Sequence, residues 1–470
     1  MKTRLLLLLA VAILLASNSV SATHINGAYF SYKVDPQNPL KYKFKFTLFS
    51  DDHSNADDPV VQIGMGDLTQ VTVPNTKKIS YLNSNSIEIF EWEYTYAAPG
   101  NYMVYWIGIN RNPSLINAGH PSDQMTQFIY SQVKVGQTSV NYNSAEIIVP
   151  APLEAFVGEP FKMNMIAYDA DGDRLTYELV PPKYTDENFV PQNLPGYHVP
   201  AGLYIDKFGE LHWQTPPKIG PDSFDEYAIA VKITEYKGDQ PVGYTIVDLS
   251  IRVRERQNYP IVKLLNRDKL TVNYDGSVYA RQEQTLKLEF FVEKTANSTF
   301  PVYAKQFSDL DTLDLATPEF AARDSANGLA ITLRLIPTIN IIRNEPYIIG
   351  LRGASRINMN PSARNQFAYG WDFVNVYIGA QQPTSSGDLT DKISLYVYPN
   401  PAADKLILEG DKLHGSQLKI YNGNGQQIFT SELKAGKNTI VRPARVPAGM
   451  YVYHIVYAGQ VLKAGKLVLE

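Results

Sequence analysis

Three aspartates spaced two residues apart are the clearest chemical feature of this 470-residue sequence. They are Asp169, Asp171 and Asp173, and Gly172 lies between the last two. Carboxylates at this spacing on one turn can surround a single hard cation, and Ca²⁺ takes about six to eight oxygen ligands. No glutamate occupies the twelfth position of an EF-hand loop, so the pattern predicts a calcium site of another kind. The alternative is an aspartate-rich hairpin turn without a metal, because Asp and Gly favour turns for backbone reasons alone.

A second acidic stretch lies nearer the N-terminus and contains Asp51, Asp52, His53, Asp57 and Asp58. Either a metal site or a solvated loop would suit these residues, and their turn-forming character favours the loop. The sequence contains no His-Glu-x-x-His zinc motif, no Gly-x-Ser-x-Gly elbow, no Walker loop and no Gly-x-Gly-x-x-Gly after a strand. We therefore predict no catalytic residue and no cofactor other than calcium.

The composition excludes further kinds of chemistry. There is no cysteine, which rules out disulfides, thiolate nucleophiles, cysteine-based zinc sites and a lipoprotein anchor. The 43 basic and 47 acidic residues give a formal net charge of −4 with no basic run, which argues against nucleic acid as a partner. With 44% hydrophobic residues, the chain can build several cores, and its length suggests about three domains.

Residues 1–22 have the pattern of a secretory signal peptide. Lys2 and Arg4 form a basic region, residues 5–16 are apolar, and Val-Ser-Ala at 20–22 is a small-residue cleavage site. The apolar stretch is shorter than the ~20 residues that a membrane-spanning helix needs. We expect export and a mature chain that starts at Thr23.

Alternation of apolar and polar residues predicts an all-β chain. In residues 41–48, for example, Tyr42, Phe44, Phe46 and Leu48 fall on one face and lysines on the other. Turn-forming residues divide the pattern into tandem β-sandwich modules, each expected to have its own core. The predicted segments are an N-terminal sandwich (23–139), a second module (140–256) with a long inserted loop (181–200), a third module (258–379), a linker (381–391) and a small C-terminal sandwich (394–470).

The second module has a distinctive order of strands and turns. An alternating strand at 161–168 precedes the Asp169–Asp173 turn, a second strand follows at 175–179, and Leu-His-Trp-Gln-Thr-Pro comes later at 211–216. This order resembles the cadherin-like, immunoglobulin-like repeats of bacterial surface proteins. The resemblance implies Ig-like or cadherin-like sandwiches in which such a turn holds calcium at a module junction, together with acids such as Glu154 or Asp248.

The start of the first module is similar to the opening of large surface proteins associated with gliding motility. The residues that carry this similarity are His-Ile-Asn-Gly at 24–27 and Tyr-Phe-Ser-Tyr at 29–32. Ala28 stands where those proteins have a second glycine, and Ser-Asp-Asp at 50–52 stands where they have Arg-Asp-Cys. The similarity implies a surface protein.

The last segment combines a proline-flanked strand end with several hairpins. Proline has no N–H to donate, so Tyr-Pro-Asn-Pro at 398–401 ends a strand, and two Asn-Gly pairs at 422–425 predict a tight hairpin. The order of these blocks resembles the type A C-terminal sorting domain of the type IX secretion system of Gram-negative bacteria, although the chain ends on Glu470. The resemblance assigns a sorting motif to Tyr398, Pro399, Asn400, Pro401, Gly449, Tyr451 and Lys466.

The sorting domain implies an address. By this resemblance, the chain passes through the periplasm, engages the type IX machinery and its sortase, and is linked to lipopolysaccharide at the cell surface or released. We expect a secreted or cell-surface, non-enzymatic protein with an adhesive or surface-layer role and an unidentified protein or glycan ligand. The alternative is a polysaccharide-degrading enzyme or an accessory carbohydrate-binding protein with a loop-built site, because carboxylate pairs of glycosidases have no fixed spacing in sequence.

Overall fold

The computed structural model shows an almost entirely β-stranded chain, which confirms the predicted all-β class. The signal peptide, Thr23, the linker 381–391 and Pro399, Asn400 and Pro401 lie outside the described residues. The structure describes residues 25–51, 59–81, 85–109, 111–136, 143–149, 151–214, 216–256, 259–273, 276–294, 300–343, 345–356, 367–379, 396–398, 402–410, 413, 415–422, 427–442, 446–457 and 460–469.

The strands are numbered in chain order. In the first predicted module they are β1 (Ile25–Asp35), β2 (Asn38–Asp51), β3 (Val60–Gly64), β4 (Gln70–Tyr81), β5 (Asn85–Thr95), β6 (Gly100–Gly108) and β7 (Gln127–Val135). In the second they are β8 (Glu146–Ile147), β9 (Leu153–Phe156), β10 (Phe161–Asn164), β11 (Ala167–Tyr168), β12 (Arg174–Val180), β13 (Lys183–Thr185), β14 (Pro191–Asn193), β15 (Leu203–Ile205), β16 (Glu210–Trp213), β17 (Asp225–Lys237) and β18 (Gln240–Arg254).

The remaining strands follow in the same order. Those before the linker are β19 (Ile261–Leu264), β20 (Val278–Arg281), β21 (Leu286–Glu293), β22 (Val302–Ser308), β23 (Glu319–Ser325), β24 (Gly328–Leu335), β25 (Tyr347–Arg356) and β26 (Phe367–Gly379). Those after it are β27 (Tyr396–Tyr398), β28 (Lys405–Gly410), β29 (Gln417–Tyr421), β30 (Gln427–Glu432), β31 (Gly436–Val441), β32 (Gly449–Tyr457) and β33 (Gln460–Leu469). Short helical segments occur at Ser122–Gln124, Arg267–Lys269, Asp309–Thr312 and Ile339–Ile341. Among the described residues, no helix is long and apolar enough to cross a membrane.

Two compact units can be distinguished in the chain. The first comprises residues 1–266, 287–335 and 347–375, and the second comprises residues 267–286, 336–346 and 376–470.

The largest sheet of the first unit contains strands from both the first and the second predicted module. Its order is β1-β2-β5-β4-β3-β6-β7-β18-β17-β12, and β9 also pairs with β18. Strand β18 pairs with β7 at Tyr244 and Thr245 and with β1 at Asp248 and Leu249. Strands β1 and β7 are the two edges of the sheet that the first seven strands form. Because β18 pairs with both edges, these eight strands form a closed ring of pairings. The predicted boundary at 139 and 140 lies outside the described residues.

The first and second predicted modules, which share this sheet, each have a separate hydrophobic core. Alternation places Tyr42, Phe44, Phe46 and Leu48 of β2 in the first core, as the sequence predicts. The second core is built around Trp213 and the inward residues of β17 and β18, with Tyr29 and Phe49 of the first two strands added to it. The smaller sheets β10-β16-β15 and β11-β8 contribute further inward side chains.

The predicted inserted loop 181–200 is an ordered connection. It contains the short hairpin β13–β14, and Leu194 packs with Leu115, Ala118 and Ala228. Arg111, in the segment between β6 and β7, donates to the carbonyl of Lys183 in this loop at 2.8 Å. Through these contacts, the loop binds the segment before β7 to the second module.

The third predicted module contains two four-stranded sheets. In the first unit, β19-β21-β24-β23 form one sheet, and β26-β25-β22 belong to the other. In the second unit, β20 pairs in parallel with residues 376–379 at the end of β26. The C-terminal segment forms the sheets β27-β28-β31 and β30-β29-β32-β33 around a core drawn from residues 402–469. Strands β29 and β30 form the hairpin that the Asn-Gly pairs predict.

Candidate metal sites and the sorting domain

The structure brings the three predicted aspartates together on the turn between β11 and β12. The Oδ1 atom of Asp169 accepts hydrogen bonds from the backbone amides of Asp171 at 2.8 Å and Asp173 at 3.2 Å. Gly172 has a φ of +78°, which glycine adopts without strain. One carboxylate oxygen from each aspartate lies within 4.8 Å of the others. The turn therefore brings the three carboxylates together.

Burial makes this cluster electrostatically costly. Asp169 is 8% exposed, and its Oδ2 atom accepts no hydrogen bond among the described residues. Burial raises the pKa of Asp169 to about 6; the charges of Asp173 and Asp171 add to this rise, and their backbone amides oppose it. Lys237 offsets part of the negative charge through an ion pair of 3.1 Å with Asp173. The carboxylate of Asp171 accepts two hydrogen bonds from Asn143.

A fourth carboxylate, Glu235, interacts electrostatically with these aspartates and was missed in the sequence. Glu235 lies on β17, is 1% exposed, and accepts a hydrogen bond from the amide of Ala145 at 3.2 Å. Burial raises its pKa to about 8, and the charges of Asp169, Asp173 and Asp171 contribute to the rise. The signal in the sequence is an acid at an inward position of an alternating strand, two residues after the buried Ile233.

A second group of potential metal ligands, also missed, lies on the hairpin of β15 and β16. The Nε2 atom of His212 is 3.2 Å from Asp206 Oδ2 and 3.4 Å from Glu210 Oε1. The ring of Tyr204 stacks on His212, with 4.9 Å between the ring centroids. Lys162 lies 3.1 Å from Glu210 and already supplies this group with positive charge. Burial raises the pKa of Glu210, and Lys162 and His212 lower it.

The two acids expected to assist the calcium turn lie elsewhere. Asp248 forms a buried ion pair with Arg111, with Nη2 and Oδ2 2.8 Å apart. Glu154 pairs with Arg254 at 2.8 Å. The described part of the acidic loop is limited to Asp51 at the end of β2, and residues 52–58 lie outside the described ranges.

The described residues of the predicted sorting motif lie on paired strands of the C-terminal module. The hydroxyl of Tyr398 donates to the carboxylate of Glu409 on the neighbouring strand. Gly449 and Lys466 belong to the pair β32–β33, and the hydroxyl of Tyr451 donates to the carbonyl of Pro447 at 2.8 Å. Ala402 forms a bridge with Leu469, which ties the start of the module to its last strand.

Comparison with known proteins identifies this module. Residues 396–470 match the family described as the secretion system C-terminal sorting domain. The predicted type IX sorting domain is thereby confirmed, and it marks the chain for export and for association with the cell surface or outer membrane. No curated protein matches the chain. The similarity of residues 24–32 to gliding-motility proteins stays a prediction.

Several solved structures show low similarity to the chain. Human protocadherin-24 EC1-2 is 15% identical, covers 51% of this chain and 100% of that chain, and has a TM-score of 0.17. The cadherin-like domains 1 to 4 of zebrafish RET are 8% identical, with coverages of 88% and 93% and a TM-score of 0.16. The S-layer protein rSbsC is 11% identical, with coverages of 92% and 65% and a TM-score of 0.14. Among these comparisons, the sorting domain alone assigns a role to part of the chain.

Proposed function

We propose that this chain is a non-enzymatic adhesive or surface-layer protein that its sorting domain delivers to the outside of the cell. The match of residues 396–470 carries the proposal, because a dedicated export address implies that the remaining β-sandwiches work outside the cell. Buried aromatic cores and a strand shared between two modules suit a protein that bears load rather than one that moves during catalysis. In this proposal the type IX sortase removes the sorting domain and attaches the chain to lipopolysaccharide.

Truncation of the sorting domain tests this function. A chain that ends at residue 395 should accumulate in the periplasm, and cells that produce it should lose both surface labelling and attachment to their substratum. A full-length chain with Lys419→Ala, a change within the sorting domain, is the control and should be displayed normally. Normal surface display of the truncated chain would contradict the role of the sorting domain in export. Release of reducing ends from polysaccharides by the purified protein would instead favour the enzymatic alternative.

We also propose that the aspartate turn binds Ca²⁺ through Asp169, Asp171 and Asp173. The buried Oδ2 atom of Asp169 has no hydrogen-bond partner among the described residues, so a cation would satisfy it. Three neighbouring carboxylates supply the hard oxygen donors that Ca²⁺ prefers, and the ion would relieve their mutual repulsion. The alternative is a turn without metal, in which Lys237 supplies the positive charge through its ion pair with Asp173. The experiment below distinguishes this metal-free turn from a calcium site.

Thermal melts of the full-length protein test the calcium site. A ligand that binds only the folded state stabilises it by about 2.7 kcal/mol at a hundredfold excess over Kd. Millimolar Ca²⁺ should therefore raise the melting temperature relative to EDTA, and Mg²⁺ should do so less because it requires tighter octahedral geometry. Asp171→Asn should remove the effect, whereas Asp239→Asn on the nearby exposed turn should retain it. Superimposable melts in Ca²⁺ and EDTA would show that the aspartates form only a turn.

A further inference from the structure

One face of the sheet formed by β22, β25 and β26 combines cations with aromatic rings. Six outward-facing side chains make up this cationic aromatic face: Tyr303, Lys305, Arg352, Arg356, Phe367 and Tyr369. Within each strand they occupy alternate positions, so they point to the same side of the sheet. The register agrees, because Lys305 lies directly opposite Arg352 and Tyr303 lies opposite Ala354.

The other side of the same strands is core. Leu351 and Ala368 are fully buried, and Val302 is 9% exposed. On the outward side, Trp371 packs against the core of the second module, and Phe307 packs beside Phe373. Towards the other end of the face, Tyr303 is 47% exposed. The face is thus packed near Phe307 and Trp371 and exposed at Tyr303.

The rings and guanidinium groups of this face interleave. The Arg352 guanidinium lies 5.3 Å from the ring centroid of Tyr369, and that of Arg356 lies 5.9 Å from Phe367. The rings of Tyr303 and Phe367 meet edge to face, with their centroids 6.0 Å apart. Cation–π contacts of this kind hold the guanidinium groups in place.

Among the residues that the structure describes, no acidic partner is found for the cations of this face. Strands β22, β25 and β26 contain one acidic residue, Asp372. Its side chain points to the opposite side of the sheet, where it accepts a hydrogen bond from the amide of Leu264. Among the described residues, no carboxylate forms an ion pair with Lys305, Arg352 or Arg356. The face therefore offers three positive charges to a partner from outside.

This combination fits an anionic sugar polymer. Arginine pairs with carboxylate or sulfate groups through two parallel hydrogen bonds, and exposed aromatic rings provide flat apolar surfaces for the C–H faces of sugar rings. Residues four apart on a strand lie roughly 13 Å from each other, so the rows of side chains extend over more than one sugar unit. A net charge of −4 for the whole chain disfavours nucleic acid, since a nucleic-acid-binding protein generally carries a positive excess.

We propose that the cationic aromatic face binds a linear polysaccharide that carries carboxylate or sulfate groups. The proposal rests on the proposed adhesive function and names the chemistry of its ligand. Arg352 supplies the central charge, Lys305 and Arg356 flank it, and Tyr303 supplies the most exposed stacking surface.

Binding of the purified full-length protein to immobilised polymers tests the proposal. Polygalacturonate and dextran sulfate represent the uronate and sulfate sources, neutral dextran is the uncharged control, and polyglutamate and single-stranded DNA represent other polyanions. We expect binding to at least one of the two anionic polysaccharides, weakened by salt, and none to neutral dextran. Arg352→Ala and Tyr303→Ala should each weaken binding at least tenfold, and Arg352→Lys should restore only part of it.

Arg334→Ala is the matched control, because Arg334 is an exposed arginine on β24 in the other sheet. It should bind like the unchanged protein. Tyr303 is half exposed, so we expect Tyr303→Ala to fold even if Arg352→Ala folds poorly, and the test stays informative. Thermal melts of each variant verify folding. Wild-type failure to bind both anionic polysaccharides, equal binding by Tyr303→Ala, or equal binding to polyglutamate or DNA would overturn the proposal. The truncation experiment measures surface display and attachment separately. A protein that binds neither anionic polysaccharide would therefore overturn this proposal without contradicting the proposed surface function.

Discussion

At the scale of single residues, Glu235 couples the ionisation of the aspartate cluster to the stability of the second module. Its pKa of about 8 stands well above the ordinary value of 4.5 because the side chain is buried and faces three aspartates. Between these two pH values the folded protein holds a proton at Glu235 that the unfolded chain has released. Folding is therefore favoured at the acidic end of this window, and the contribution is lost as the pH rises.

Metal-free protein should become less stable between about pH 5 and pH 8. The contribution of Glu235 has a limiting slope of about 1.4 kcal/mol per pH unit, and Asp169 adds to it below its pKa of about 6. Glu235→Gln should flatten this dependence, because glutamine remains neutral throughout. Urea unfolding in EDTA at several pH values measures the slope. Equal slopes for the variant and the unchanged protein would show that Glu235 does not titrate as its surroundings imply.

The buried pair of Arg111 and Asp248 is a second residue-scale determinant of stability. Both side chains are about 2–3% exposed, and two N–O distances of 2.8 and 3.2 Å join them. Asp248→Ala should destabilise the protein by about 3–5 kcal/mol because it leaves a buried charge without its partner. The double variant Arg111→Met/Asp248→Leu should lose less stability than Asp248→Ala, because it leaves no unpaired charge in the core.

Urea unfolding measures both losses, with the exposed pair of Lys43 and Glu91 as the control. Their charged atoms are 3.6 Å apart at the surface, so Lys43→Ala should change stability by at most about 1 kcal/mol. A double variant that is no more stable than Asp248→Ala would contradict the assignment of the loss to an unpaired charge.

At the scale of elements, β18 links two modules that the sequence pattern separates. One of its edges pairs with β17, and the other pairs in succession with β7, β1 and β9. Gly27 permits the approach of β1, because a Cβ atom at this position would lie 2.8 Å from the carbonyl oxygen of Asp248. Asn26 next to it accepts a hydrogen bond from Arg252 at 2.7 Å. Asn26 and Gly27 thus have a structural role at this junction.

A break in β18 should therefore loosen both modules. Val247→Pro removes a backbone donor in the interior of the strand and should cost about 3 kcal/mol or more. Amide hydrogen exchange should accelerate in β1 and β7 as well as in β17. Phe320→Pro, in the exposed edge strand β23, should leave these strands protected. Acceleration confined to the second module would contradict the structural role of β18.

At the scale of the whole molecule, the C-terminal module has a core made only of its own residues. This core includes Leu408, Leu418, Ile455 and Leu467, all of which are fully buried. Its two sheets use strands β27 to β33 and no others among the described residues.

Removal of residues 396–470 should leave the main melting transition of the chain unchanged. The deletion takes away a complete core and leaves the two cores of the first unit intact. Calorimetry of the truncated and full-length proteins measures this, and the full-length protein should show one additional transition. Loss of the main transition on truncation would show that the C-terminal module is required for the remaining fold.

The sequence by itself determined the features that depend on neighbouring residues. Strand alternation predicted the buried face of β2, the five-residue aspartate turn clustered its own carboxylates, and the blocks after residue 394 identified the sorting domain. Glu235, the His212 group, the partners of β18 and the cationic aromatic face were decided only by the tertiary structure. The physical reason is that a two-residue period shows which side chains share a face of a strand but does not specify which distant strand will pair beside it.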